Sequence, residues 1–171
     1  MTVAIRHSLR LVPTVPGGTD TLAETPAEAD AYLADAVVMQ WQPEHQFIGA
    51  LLYLSAEDAA PLLHLVPDSA IAKPMARWAY ELIRRLVDEG DKPDPVSVLA
   101  AGKRHSAHHG LCPDQPPTAK RHHQLALYLV DAYTQNISSA LAASLARQVL
   151  DDAYRRAFAR LAASAELMFW V

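Results

Sequence analysis

The stretch from residue 73 to residue 89 constrains the fold most, because its apolar residues recur at steps of three and four. This spacing places them on one face of an α-helix. The apolar face consists of Met75, Trp78, Ala79, Leu82, Ile83 and Leu86. Charged residues fill the opposite face, and Gly90 follows as a residue that readily takes the positive φ with which many helices end. The sequence therefore predicts a long amphipathic helix that stops at Gly90.

From residue 25 onwards the rest of the chain shows helical signals, and a short strand at Ala4–Val12 is the one alternative left open within the first 24 residues. No segment alternates between apolar and polar residues over a useful length, and glycine is rare, with six residues in 171. Thr25, Ser55 and Asp94 are each placed to cap the start of a helix. Together with the apolar spacing, they predict further helices over residues 26–41, 44–54, 56–66, 95–101, 119–134 and 137–167. The predicted fold is all-α, with a small helical bundle followed by a long antiparallel αα-hairpin.

Three regions follow from these predicted helices. Residues 1–24 hold prolines, glycines and threonines without periodicity, which predicts a flexible N-terminal arm. Residues 25–118 form the globular helical bundle, which ends in a loop rich in histidine and proline, the His-rich loop 102–118. Residues 119–171 form the helical hairpin. A helix over residues 137–167 would be about 45 Å long, so we expect part of its apolar stripe to project beyond a small bundle and to meet another chain.

The charge balance argues against several classes of function. Lys and Arg total 15 against 19 Asp and Glu, which gives a net charge of −4. Proteins that hold DNA through phosphate contacts usually carry a clustered basic excess, so we expect DNA binding to be weak or absent. The arginines of the long predicted helices are interleaved with acidic residues, which favours a salt-bridged solvent face over a DNA-binding stripe. A helical transcription regulator should show a basic recognition helix, and none is visible.

Cysteine usage and hydropathy bear on location. The single cysteine, Cys112, leaves no intramolecular disulfide and suits a reducing compartment. No run approaches the roughly 18 consecutive apolar residues of a membrane-spanning helix, so we expect no membrane partner. The expected location is the cytoplasm.

No set of catalytic residues stands out. The phosphate-binding loop of many ATPases requires Gly-x-x-x-x-Gly-Lys-Ser/Thr, whereas Gly102-Lys103 is followed here by Arg104. Without that loop and its magnesium-binding hydroxyl, we expect no ATP hydrolysis by this chain. The serines of the chain fit helix caps and turns better than nucleophiles. We therefore expect a protein that is not an enzyme.

The His-rich loop offers the one other possible chemistry. The candidate ligands in and beyond it are His105, His108, His109, Cys112, His122 and His123. Imidazole and thiolate groups are ligands that zinc prefers. However, no Cys-x-x-Cys pair frames the set, so a solvated loop is the simpler interpretation. We expect no cofactor, with zinc as the exception to test, and the alternative function is a metal-binding helical protein or enzyme that uses this loop.

Residues 43–99 carry a series of signals whose order is known from one protein family. The series is Pro43-Glu44, Gly49, Leu51-Leu52, a second helix, the turn Pro67-Asp68, the long helix, and Gly90-x-x-x-Asp94-x-Val96-x-Val98. This order resembles the N-terminal domain of the bacterial replicative DNA helicases, the DnaB family. Further marks of the resemblance are Leu127-Tyr128-Leu129, Asn136 and the spacing Arg147…Arg155-Arg156. The chain departs from the family where Ser69-Ala70-Ile71 lacks an aromatic residue and where the His-rich loop replaces a glycine-rich turn.

The resemblance implies a non-catalytic module for assembly and docking. In that family the domain pairs with copies of itself and receives primase or a helicase loader, so the implied partners are a second copy of this chain and replication proteins such as primase, the loader or the helicase. The implied self-association residues are Leu125, Tyr128, Leu129, Leu141, Leu145, Val149, Tyr154 and Phe158. The implied docking residues are Trp78, Arg85 and Leu86. The chain would be part of an ATP-dependent DNA helicase only if a motor domain followed it.

Overall fold

A computed structural model of the protein describes residues 41–107, 117–136 and 138–168, with the last four by backbone alone. These residues form six α-helices and two short 3-10 helices, Asp68–Ala70 and Ser139–Leu141. The α-helices are α1 Pro43–Leu51, α2 Ala56–Leu65, α3 Pro74–Asp88, α4 Pro95–Gly102, α5 Ala119–Thr134 and α6 Ala142–Met168. No strand occurs in these three ranges, which confirms the all-α prediction. The predicted arm 1–24, nearly all of the predicted helix 26–41 and residues 108–116 of the His-rich loop lie outside the described residues.

The predicted helix caps at Ser55 and Asp94 and the predicted stop at Gly90 are confirmed, whereas the predicted cap at Thr25 lies outside the described residues. The Ser55 hydroxyl accepts a hydrogen bond from the Asp58 N–H at 3.2 Å and starts α2. The Asp94 carboxylate accepts hydrogen bonds from two backbone N–H groups in the first turn of α4. At the end of α3, Gly90 has a φ of 83°, and the Asp91 N–H donates to the Leu86 carbonyl at 2.8 Å. This bond closes a Schellman turn, which satisfies carbonyls that the end of the helix would leave unpaired.

Helix α1 lies at the centre of the fold. It packs against α3, α5 and α6, and every residue from Glu44 to Leu51 is buried. A helix that is covered on all sides has no need of a polar face, and most of α1 is apolar. The remaining helices complete the layer around it, because α2 packs on α3 and α4 packs between α3 and α5.

The predicted αα-hairpin is not confirmed. Helix α6 makes its main contacts with α1, and α5 packs on α4 and α1, whereas α5 and α6 make little contact with each other. The 3-10 helix Ser139–Leu141 also interrupts the single long helix predicted over residues 137–167. The boundary predicted at residue 118 does not separate two cores, since Leu125 of α5 and Val149 of α6 belong to the same hydrophobic core as α1 and α3.

Gly49 allows α1 to approach α5 closely. A Cβ atom added at this position would overlap the Ala132 carbonyl oxygen and would lie 3.2 Å from the Cβ of Asn136. Glycine lowers helix stability by about 1 kcal/mol relative to alanine, so a glycine inside a helix needs a reason of this kind. The contact provides that reason.

Helix α6 extends beyond the packed core. It is 27 residues long, which corresponds to about 40 Å. The side chains from residue 157 to residue 164 are all exposed. The last helix was expected to be too long for the bundle to cover. Residues 157–164 of α6 agree with this expectation.

Candidate interaction surfaces and a buried polar seam

The projecting part of α6 presents an apolar stripe. The exposed fractions of Tyr154, Phe158 and Leu161 are 63%, 70% and 67%. Their spacing of four and three residues places them on one face of the helix. Leu145 and Val149, which pack on the core, lie on roughly the opposite face at 3.6 residues per turn. Helix α6 is thus apolar on two sides, and we call Tyr154, Phe158 and Leu161 the α6 stripe.

A second exposed apolar surface lies where α5 passes the end of α1. Leu127, Val130 and Tyr133 are exposed on α5, and Tyr53 is exposed just beyond α1. The rings of Tyr53 and Tyr133 stack with centroids 4.3 Å apart and planes 7° from parallel. The Tyr53 hydroxyl donates a hydrogen bond to the Tyr133 carbonyl at 2.9 Å, which fixes the pair in place. We call these four residues the α5 patch.

The residues implied for self-association are divided between the surface and the core. Leu141, Tyr154 and Phe158 are exposed, and Leu145 is half-buried. The others lie inside: Leu125, Leu129 and Val149 are buried in the core, and the Tyr128 hydroxyl is buried. Leu125, Leu129 and Val149 therefore belong to the core of the single chain, whereas the exposed members of the set are accessible to a second chain.

The implied docking residues are also largely internal. Trp78 is completely buried, its indole N–H donates to the His105 carbonyl at 3.0 Å, and the Arg121 guanidinium lies 5.7 Å from its ring centroid. Leu86 is buried as well. Arg85 is half-buried and lines a charged surface cleft of about 370 Å³. The proposed docking role of Trp78 and Leu86 is corrected to a role in holding α3 against its neighbours.

The described part of the predicted zinc set does not converge. A ring nitrogen of His122 lies 3.0 Å from the Leu99 carbonyl oxygen, which accounts for its position. Burial, together with nearby arginines, lowers the pKa of His105. His108, His109 and Cys112 lie outside the described residues. Among the residues that the structure describes, no group of three or more His, Cys, Asp or Glu side chains is placed to hold a metal ion.

Glu44 and Arg156 form an ion pair at the N-terminal end of α1. The Arg156 guanidinium lies 3.1 Å from the Glu44 carboxylate and also donates to the Ala70 carbonyl. The same carboxylate accepts hydrogen bonds from the backbone N–H groups of Ala72, at 3.1 Å, and Lys73, at 3.3 Å. The pair therefore ties together α1, the segment before α3, and α6.

Next to this pair, α1 and α5 share a buried polar seam. It consists of His45 and Gln46 from α1, of Tyr128 and Asp131 from α5, and of Gln135, which directly follows α5. The Gln46 side-chain amide donates to the Gln135 carbonyl at 3.0 Å, and the Gln135 amide donates to the Asp131 carboxylate. Residues 44–46 are the polar start of an otherwise apolar helix, a sequence signal for the α1 half of the seam that leaves its partners near residues 128–135 unidentified.

Several polar atoms of the seam are buried without a hydrogen-bond partner. They are both ring nitrogens of His45, the Tyr128 hydroxyl and the Gln135 side-chain oxygen. The His45 Nε2 lies 3.3 Å from the Asp131 carboxylate, close enough for an ion pair but not aligned as a hydrogen bond. Burial lowers the pKa of His45, Asp131 opposes this effect, and Lys73 adds to it. Buried polar groups are nearly always paired, so this concentration of unpaired atoms is unusual.

Comparisons with family models, with curated proteins and with solved structures return no match to this chain. None of the helices in the described ranges is long and apolar enough to cross a membrane. The functional assignment therefore rests on the surfaces and residues described above.

Proposed function

We propose that this protein is a non-catalytic helical module that associates with itself through the α6 stripe and receives a replication protein on the α5 patch. The class of function is the one implied by the resemblance to the N-terminal domain of the replicative helicases. The observation that carries the proposal is the α6 stripe, because Tyr154, Phe158 and Leu161 are large apolar side chains that are exposed together on one face of the projecting helix. Contiguous apolar surface of this kind commonly marks a contact with another chain.

The contacts made by the residues of the resemblance support treating them as one pattern. Glu44 and Arg156 come from opposite ends of that pattern and form an ion pair. Gly49 and Asn136 are likewise far apart in the sequence and lie against each other. Residues noted separately in the sequence therefore meet in space and hold the same helices together. If this chain had the same fold as the family, these residues would be expected to lie close together in this way.

The area of the α6 stripe indicates how strong the self-association should be. An aromatic side chain offers roughly 150–250 Å² of surface, so three residues about two-thirds exposed present roughly 400 Å² per copy. A two-fold pairing, in which the same stripe is used on both copies, would then bury roughly 800 Å². Stable interfaces bury at least about 1,200 Å². We therefore expect a weak dimer that forms in a concentration-dependent manner.

Sedimentation equilibrium over a wide range of protein concentration tests the self-association. The double variant Phe158→Asp/Leu161→Asp should remain monomeric where the wild type dimerises, because charged groups would be buried at the contact. The matched control is Leu127→Asp/Val130→Asp, which places the same chemistry on the α5 patch and should dimerise like the wild type. Both variants should keep wild-type helix content, since all four side chains are exposed. A wild-type protein that stays monomeric at every concentration would contradict the proposal.

Binding measurements with purified primase, helicase loader and replicative helicase test the docking role. We expect one of the three to bind the wild type, and the α5-patch variant to bind it at least about tenfold more weakly, because apolar anchors dominate such contacts. The α6-stripe variant should bind that partner with wild-type intrinsic affinity. If none of the three proteins binds, the replication role is wrong, while the self-association is judged separately by sedimentation.

A further inference from the structure

The polar seam between α1 and α5 is a group of titratable and polar side chains that neither self-association nor docking requires. His45 is almost completely buried, with 3% of its side chain exposed, and neither of its ring nitrogens has a hydrogen-bond partner. The Asp131 carboxylate beside it is 35% exposed, so it connects the buried ring with solvent. The Tyr128 ring meets the imidazole edge-on, with centroids 5.3 Å apart. A proton can therefore reach the His45 imidazole from solvent by way of Asp131, although burial makes the charged imidazolium unfavourable there.

We propose that the seam is a proton-operated joint, in which uptake of a proton by His45 loosens the contact between α1 and α5 and its release closes that contact again. Opening lets water reach the charged imidazolium, and it begins on the side of the partly exposed Asp131 carboxylate, where the seam already meets solvent. The backbone contact of Gly49 with Ala132 lies on the same pair of helices, so it separates when the joint opens. The proposal does not depend on the self-association or docking roles.

The groups around His45 determine the direction of the effect. Helix α5 supplies the Asp131 carboxylate and the neutral Tyr128 phenol, and Lys73 acts from the segment before α3. On the α6 side Arg156 pairs with Glu44, the residue next to His45 in the chain. Within the described residues, α3 and the 3-10 helix Ser139–Leu141 add no charged group to those that shift the pKa of His45.

The sign of the pH dependence follows from the lowered pKa. In the unfolded or opened chain His45 binds a proton with a pKa of about 6.5, whereas burial lowers its pKa in the closed seam. The opened form therefore binds more protons, and the closed form loses stability as the pH falls below about 6.5. The loss is complete once the pH lies below the pKa of the closed form. Each tenfold reduction in proton affinity on closing permits up to a tenfold rise in the opening equilibrium.

Two measurements on the wild-type protein test the proposal. The imidazole resonances of His45 should titrate below the position of an exposed histidine. Amide hydrogen exchange, corrected for the intrinsic pH dependence, should show protection in α1 and α5 falling several-fold between about pH 7.5 and 5.5, while α2 keeps its protection. If His45 titrates at about 6.5 or above, or if all helices lose protection equally, the joint does not exist.

Variants separate proton uptake from simple packing. His45→Gln should abolish the pH-dependent loss of protection, whereas His123→Gln, at an exposed position on α5, should leave it unchanged. Asp131→Asn should lower the pKa of His45 further, since Asp131 is the group that raises this pKa, so the loss of protection should begin at the same pH but continue to a lower pH and become larger. A purely structural role for Asp131 would weaken the fold without changing the size of the pH-dependent loss. If His45→Gln does not fold, Asp131→Asn decides the outcome: a pH-dependent loss of unchanged size overturns the proposal.

Discussion

Replacement of Gly49 by alanine should affect the free energy of unfolding in two opposite ways, because helix propensity would raise it and tertiary packing would lower it. In an open helix the change would raise the free energy of unfolding by about 1 kcal/mol. Here the new methyl group would overlap the Ala132 carbonyl oxygen and touch Asn136. A backbone oxygen cannot rotate away as the end of a side chain can, so α1 and α5 would have to separate. Overpacking of this kind typically lowers the free energy of unfolding by 1–3 kcal/mol. We expect a cost of about 3 kcal/mol here, because the overlapped atom belongs to the backbone.

The net expectation for Gly49→Ala is a free energy of unfolding lower by about 2 kcal/mol, as the overlap costs about 3 and the helix gains about 1. Urea unfolding followed by circular dichroism measures this as a lower midpoint with an unchanged slope. The matched control is Gly102→Ala, whose methyl group would lie in ordinary contact with Leu82 and His122, at 3.4 and 3.9 Å, and would overlap one atom alone, Cδ2 of Leu125, at 2.5 Å. Because that atom ends a flexible side chain, we expect a loss of less than about 1 kcal/mol. A Gly49→Ala protein as stable as the wild type would refute the close approach of α1 to α5.

Two further substitutions test the buried polar groups by the same urea assay. Tyr128→Phe removes a buried hydroxyl that has no hydrogen-bond partner, so we expect the free energy of unfolding to rise by about 1 kcal/mol; a loss would mean that the hydroxyl is paired. Glu44→Gln leaves Arg156 without its counter-ion and should lower the free energy of unfolding by about 2–3 kcal/mol, whereas Glu57→Gln, at an exposed position on α2, should change it by less than about 0.5 kcal/mol. Equal effects of the two glutamate substitutions would contradict the structural role of the Glu44–Arg156 pair.

The features that the sequence predicted well are those determined by neighbouring residues. Ser55 and Asp94 cap helices, and Gly90 ends one, because each hydrogen bond involved spans only a few residues. The all-α class follows from the same local signals. Helix α3 was likewise recognisable, since only one of its faces is apolar.

The packing of α5 and α6 was not predictable from such signals. Both helices carry apolar residues on two faces, and periodicity alone does not distinguish the inner face, with Val149, from the outer face, with Phe158. The insertion of α1 between them depends on contacts between distant residues, such as Glu44 with Arg156. The short break between the last two helices indicated a hairpin, whereas in the structure both helices pack on α1 and make little contact with each other.

His45 was missed for a different reason. A single histidine in an apolar helix has no partner within reach along the sequence, and its surroundings become visible only when α5 lies beside it. The unpaired atoms of Tyr128 and Gln135 depend on the same arrangement. A site assembled from two helices that are far apart in the chain leaves no spaced motif to recognise.

The central position of α1 has a consequence for how the protein is made on the ribosome. The partners of Gln46 and Glu44 are Gln135 and Arg156, which are synthesised much later. At roughly 5–20 residues per second, the apolar surface of α1 would wait several seconds or more after synthesis before α5 and α6 could cover it. A nascent chain interrupted before α5 would display that surface, so we expect such fragments to be substrates for chaperones or proteases rather than independently folded products.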